Sequence, residues 1–135
     1  MLLVAALFCI SMQAVRADTA TDLYARCRNQ QTTAEQRECY PAAIRQSELE
    51  LSAAEKGVRA ALRELEAISP GSQTLHPVRA FDKAKRAFRL FRDVERRRVL
   101  TSYGSGNGGD LAAAQAVIEM NLERVKALKG QAAPR

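Results

Sequence analysis

The chain has 135 residues, 47% of them hydrophobic, with 21 Lys and Arg against 15 Asp and Glu and a formal net charge of +6. That length normally makes one domain with a modest core. The basic surplus supports weak attraction to anionic surfaces without specifying a ligand. With one His and three Cys, the chain is too poor in ligands for an ordinary metal centre.

The first element is an apolar run from Leu2 to Met12, closed by Val15-Arg16-Ala17. Small residues at the −3 and −1 positions after such a run predict a signal peptide over residues 1–17, cut between Ala17 and Asp18, although no Lys or Arg precedes the run. The run is too short for a stable bilayer anchor, which needs about 18 apolar residues. Cys9 follows the bulky Phe8, where a lipoprotein signal wants a small residue, so Cys9 is read as part of the discarded segment. Loss of residues 1–17 leaves 118 residues, with 20 cations against 15 anions, and no second membrane segment.

A short helix is expected over residues 21–30, carrying Leu23, Tyr24 and Cys27. Thr32 stands three residues before Glu35, the spacing of a capping box, and predicts a second helix from about Thr33. Cys27 and Cys39 form an even pair in an exported chain and are predicted to be disulfide-bonded. Twelve residues along one helix would hold them about 18 Å apart, so pairing requires the chain to reverse at Asn29-Gln30-Gln31-Thr32. The alternatives are two free thiols or, with the distant His76, an incomplete metal site. Pro41 either kinks the second helix or breaks it, because it lacks an amide hydrogen and crowds the preceding turn.

Beyond Pro41, Ile44, Leu51, Val58 and Leu65 recur every seven residues, with Ala54, Ala61 and Ile68 between them, a seam suited to close helix packing. Ser69-Pro70-Gly71-Ser72 ends this helix, and a loop continues to Pro77. A third helix from Val78 to about Leu100 places Val78, Phe81, Ala84, Phe88 and Phe91 on one face, expected to be core. After the Gly-rich loop Tyr103 to Gly109, Asp110 is a good N-cap for a last helix. Leu111, Ala114, Ile118, Leu122, Val125 and Leu128 give that helix its apolar face, and residues 131–135 are expected to be a disordered tail. Strand-like alternation is missing. The expected fold is all-α: a small helical bundle or long helical hairpin with an additional C-terminal helix and one disulfide.

The spacings that support catalysis are missing. His76 lies in a loop between Leu75 and Pro77, and the stretch Gly104 to Gly109 follows a helix and lacks a P-loop Lys. A non-enzymatic protein without cofactors is therefore expected. The third helix is strongly cationic, with Arg79, Lys83, Lys85, Arg86, Arg89, Arg92, Arg96, Arg97 and Arg98 against Asp82, Asp93 and Glu95. Such a run is either a solvated face or a binding surface. Export argues against nucleic acid and leaves anionic lipid or polysaccharide of the envelope, or an acidic partner.

Cys27, Thr32-Thr33-Ala34-Glu35 leading to Cys39, the long helix, and Ala87-Phe88-Arg89-Leu90-Phe91-Arg92-Asp93 form a recognisable series. With the Gly-rich loop and a closing helix bearing Arg124 and Leu128, the sequence resembles the lysozyme inhibitor LprI-like family of small exported bacterial proteins over roughly residues 27–128. The resemblance implies one helical domain over residues 18–130, a periplasmic or secreted location, and a lysozyme-type muramidase as partner. It also marks Phe88, Phe91, Arg92, Asp93 and Arg124 as motif residues, read as structural, with Arg92 and Asp93 adjoining the Phe88 and Phe91 core. Departures are Phe88 where the family commonly has Trp, and Arg96 where it commonly has Cys. The partner Cys expected in the last helix is also absent, so one of two disulfides has been lost as a pair. Animal lysozymes are strongly basic and would be repelled by the cationic helix. If a lysozyme is the partner, the expected contact is the acidic side of the second helix, Glu48, Glu50, Glu55, Glu64 and Glu66, taken as exposed charges.

Overall fold

A computed structural model describes residues 18–132, which form five helical segments: α1 (Ala20–Arg28), α2 (Thr33–Ile68), α3 (Pro70–Leu75), α4 (Pro77–Ser102) and α5 (Gly109–Ala132). The expected signal peptide and its cleavage point, Cys9, and positions 133–135 of the expected tail lie outside the described residues. Among the described residues there is no strand, and no helix is long and apolar enough to cross a membrane.

Two capping boxes start the bundle. Thr32 accepts from the Glu35 amide while the Glu35 carboxylate accepts from the Thr32 amide at 2.9 Å. Thr19 and Asp22 do the same for α1, which places its start one residue earlier than periodicity alone indicated. Each box satisfies amides that a helix N-terminus otherwise leaves without partners. The chain reverses between α1 and α2, and Cys27 and Cys39 are bonded with their Cα atoms 5.4 Å apart.

Helix α2 runs unbroken through Pro41, which is exposed. At 36 residues it is about 54 Å long and serves as the spine against which α1, α4 and α5 pack. Its seam is buried at Leu51 and Val58 but open at Leu65 and Ile68. Ser69 then caps a six-residue helix, α3, where a loop was expected, with Pro70 at its first position and Ser72 donating its amide to the Ser69 hydroxyl. His76 separates α3 from α4 with φ 49°, a left-handed conformation unusual for a residue with a Cβ.

Two apolar clusters fill the bundle. Tyr24, Cys27, Tyr40, Ala43, Leu111 and Ile118 pack at the disulfide end. Leu51, Val58, Phe81, Val125 and Leu128 form the second cluster, with Phe88 partly buried against it. Phe91 departs from the expected stripe and is 59% exposed. At about 100° per residue, Phe91 lies roughly 80° around α4 from Phe81, whereas Phe88 lies within about 20° of Phe81's direction. The inward position beside Phe81 is taken by Arg92, about 20° around on the other side and 8% exposed.

Asp110 is not the N-cap of α5. The helix begins at Gly109, and Asp110, in its first turn, receives a bidentate bond from Arg37 of α2 at 2.7 and 3.3 Å. Gly109 sits tightly against the end of α4, where a Cβ would lie 2.9 Å from the Leu100 carbonyl and 3.1 Å from the Tyr103 Cβ. Helix α5 continues through Gly130 to Ala132, two residues into the segment expected as tail, since a single Gly costs only about 1 kcal/mol in a helix.

Candidate functional site

Between the two apolar clusters lies a polar layer built from three helices. Glu48, Leu51, Glu55 and Val58 follow one another at three- and four-residue spacings, so all four share the inner side of α2. Arg89 and Arg92, three apart, face them from α4, and Asn121, which is fully buried, closes the layer from α5. Arg89 donates to Glu48 at 3.2 Å and to Glu55 at 2.9 Å. Arg92 donates to Glu48, to Asn121 Oδ1 at 3.0 Å, and to the Asp93 carboxylate at 3.1 and 3.3 Å. Asn121 Nδ2 donates to the Ser47 hydroxyl at 3.0 Å and to Glu48 at 3.2 Å, and Ser47 donates to the Ile44 carbonyl at 2.8 Å.

Hydrogen bonding to Glu55 holds the Arg89 guanidinium above its ordinary pKa, so it stays charged at any physiological pH. Glu55 is only 5% exposed, and its second oxygen has no partner among the described residues. The layer joins two guanidinium groups to carboxylates, a buried amide and a hydroxyl.

Four of the five glutamates expected as one exposed acidic face make bonds within the bundle. Glu48 and Glu55 belong to the polar layer. Glu50 accepts from the Ala20 amide at 2.7 Å and so caps the first turn of α1, while also receiving Gln46 at 3.2 Å. Glu66 accepts from the Val78 amide at 3.1 Å in the first turn of α4. Glu64 alone is exposed without such a bond among the described residues. The reason is positional: α2 is the spine, and carboxylates on its inner sides meet amides and guanidinium groups of the helices it holds.

The cationic helix is also divided. Arg89 and Arg92 turn inward, and Arg98 pairs with Glu95 at 2.6 Å. Arg79, Lys83, Lys85, Arg86, Arg96 and Arg97 make no ion pair among the described residues. Arg124 stands 5.4 Å from the centre of the Phe88 ring, a cation–π contact that joins two motif residues across α4 and α5. Asp93 is exposed and reaches inward only through Arg92.

Sequence reasoning missed Ser47 and Asn121. Asn121 carried a signal: it interrupts the apolar face of α5 three residues after Ile118 and four before Val125. It also missed a shallow groove lined by Phe88, Met120 and Leu122, with Glu119 and Glu123 at its edge. Glu119 receives the Tyr24 hydroxyl, and burial together with that bond raises the Tyr24 pKa far above its ordinary value. Glu123 is exposed. Among the described residues no three of His, Cys, Asp or Glu converge to hold a metal ion.

A family model described as lysozyme inhibitor LprI matches residues 25–128, which takes in the end of α1, all of α2 to α4 and most of α5. No curated protein and no solved structure matches the chain.

Proposed function

The chain belongs to the lysozyme inhibitor LprI family, and on that ground we propose that it is an exported, non-enzymatic protein of the bacterial envelope that binds and inhibits a lysozyme-type muramidase. The observation that carries this reading is the extent of the match, which spans nearly the whole helical bundle rather than a single motif. Export rests on the apolar run before Ala17 and on the Cys27–Cys39 bond, since disulfides persist in oxidising compartments. An envelope-derived protein should have the intact mass of a chain beginning at Asp18.

A basic enzyme would be steered by carboxylates that are not already neutralised. Exposed carboxylates with no hydrogen bond or ion pair among the described residues include Glu38 and Glu64 on α2 and Glu123 at the edge of the groove beside Phe88, Met120 and Leu122. The groove supplies an apolar floor next to negative charge, which suits a cationic side chain with an apolar stem. Glu48, Glu50, Glu55 and Glu66 act on this surface indirectly, by holding the helices that form it.

The test is lysis of cell-wall substrate by lysozyme at low salt with the protein in molar excess. Inhibition is expected, weakening as ionic strength rises because steering between exposed charges is screened. Glu64→Lys together with Glu123→Lys should weaken inhibition several-fold with an unchanged melting temperature, since exposed charges contribute little to stability. Unchanged lysis in the presence of excess folded protein would end the inhibitor reading.

A further inference from the structure

The outward face of α4 combines two features that a soluble helix seldom shows together. Leu90 is 67% exposed, Val94 and Phe91 are each 59% exposed, and the three form one contiguous patch at positions i, i+1 and i+4. At about 100° per residue, Arg79, Lys83, Arg86 and Arg97 lie within roughly 40° of the direction of Leu90. All four are exposed, and none is in an ion pair among the described residues. Phe88, which faces α5, lies about 200° around the helix from Leu90, so this face is separate from the groove proposed for the muramidase.

We infer that the outward face of α4 docks on an anionic lipid surface, with Leu90, Phe91 and Val94 entering the headgroup boundary and Arg79, Lys83, Arg86 and Arg97 over the phosphates. The α4 helix has the composition of an in-plane membrane helix, basic on its polar positions and apolar between them, yet its other side is anchored in a folded bundle. Charge decides the occupant. A second copy would bring four cations against the same four cations. A basic enzyme would be repelled in the same way, whereas a sheet of anionic headgroups satisfies all four while the apolar side chains leave water. The two surfaces could then act together, with the inhibitor held at the membrane and its groove free.

The test exploits the absence of Trp from the sequence. Phe91→Trp in the full chain places a single reporter on this face, and because residues 1–17 are common to every variant, the contribution of α4 is read from the difference between variants. With vesicles of phosphatidylglycerol its emission should shift to the blue and be quenched by lipids brominated on the acyl chain. With phosphatidylcholine vesicles it should not change. Replacing Arg79, Lys83, Arg86 and Arg97 by Gln should reduce partitioning by about fivefold per cation removed. Leu90→Gln with Val94→Gln should abolish quenching while the helical signal is retained. A reporter that stays in water with phosphatidylglycerol vesicles overturns the proposal. So does an equal shift with soluble polyglutamate, which would mark an acidic-protein interface, or a concentration-dependent shift without vesicles, which would mark self-association.

Discussion

Arg92 and Asp93 are neighbours in sequence with opposite situations, and single substitutions should separate them. Arg92 is buried and joins Glu48, Asn121 and Asp93, so Arg92→Leu removes the donor to the buried Asn121 oxygen and leaves Glu48 with only its bonds from Arg89 and Asn121. Breaking one partner of a buried pair costs about 3 kcal/mol or more, with the stranded group supplying most of the loss. Asp93 has a side chain 66% exposed to water, and Asp93→Ala should cost about 0.5 kcal/mol, the scale of a surface pair. Urea denaturation of the two variants checks the ratio, and equal losses would mean that Asp93 orients Arg92 more strongly than its exposure implies. That Arg92 and Asp93 adjoin an aromatic stripe was legible in sequence, and these substitutions test whether the pair acts structurally. The exposure of Phe91 was not, since the stripe's periodicity is indifferent to which of its members a neighbouring helix reaches. Likewise a glutamate on an amphipathic helix looks solvated in sequence, and only the approach of α4 shows that Glu48 and Glu55 face inward.

At the scale of elements, local rules carried further. The capping box at Thr32 and Glu35, the reversal before Cys39 and the apolar face of α5 are all set by neighbouring residues, and each is present. The short helix α3 escaped because Pro and Gly together resemble a loop, although Pro70 at the first helical position is a favoured start. Two consequences are testable. The Cys27–Cys39 bond closes a loop with a sequence separation of 12, and reduction should lower stability by about 3 kcal/mol on the chain-entropy model. Thermal melts with and without reductant measure it, and coincident curves would show that the capping boxes and Tyr24–Tyr40 packing suffice. Gly109 is the tightest point of the α4–α5 connection, so Gly109→Ala forces backbone and the Tyr103 side chain apart. Overpacking of this kind costs about 1–3 kcal/mol, whereas Gly57→Ala, with open space around its Cβ in mid-helix, should stabilise by about 0.5–1 kcal/mol. Opposite signs in the two melting temperatures are the expected result.

For the whole molecule, the distribution of charge predicts an asymmetric response to pH. Asp18, Asp22, Asp82, Glu95 and Asp110 all have carboxyls held below their ordinary range, chiefly by hydrogen bonds from Arg26, Thr19, Arg59, Arg98 and Arg37 in turn. A group whose folded pKa is depressed contributes stability that is present above its unfolded value, near 4, and is lost as pH falls through the folded one. Protonation also removes anions from a chain that is already cationic, so self-repulsion adds to the loss at the acid end. At the alkaline end Tyr24 acts in the reverse sense. Its folded pKa is raised by burial and by the bond to Glu119, so its contribution is complete below the unfolded value near 10 and declines as pH rises beyond it. The urea midpoint should therefore be flat across neutrality, fall steeply below about pH 4, and fall again above about pH 10. Asp82→Asn isolates one part of the acid limb: it removes the carboxylate that binds Arg59 at 2.9 and 3.2 Å from Nε and at 3.0 Å from Nη2. This variant should be less stable than the parent at pH 7, and the difference should shrink toward zero as pH falls and the parent's own Asp82 is protonated. Tyr24→Phe should in the same way flatten the alkaline limb without steepening the acid one. A gap between Asp82→Asn and the parent that stays constant from pH 7 to pH 2 would mean that the Arg59–Asp82 contact stabilises through packing of the side chains rather than through charge.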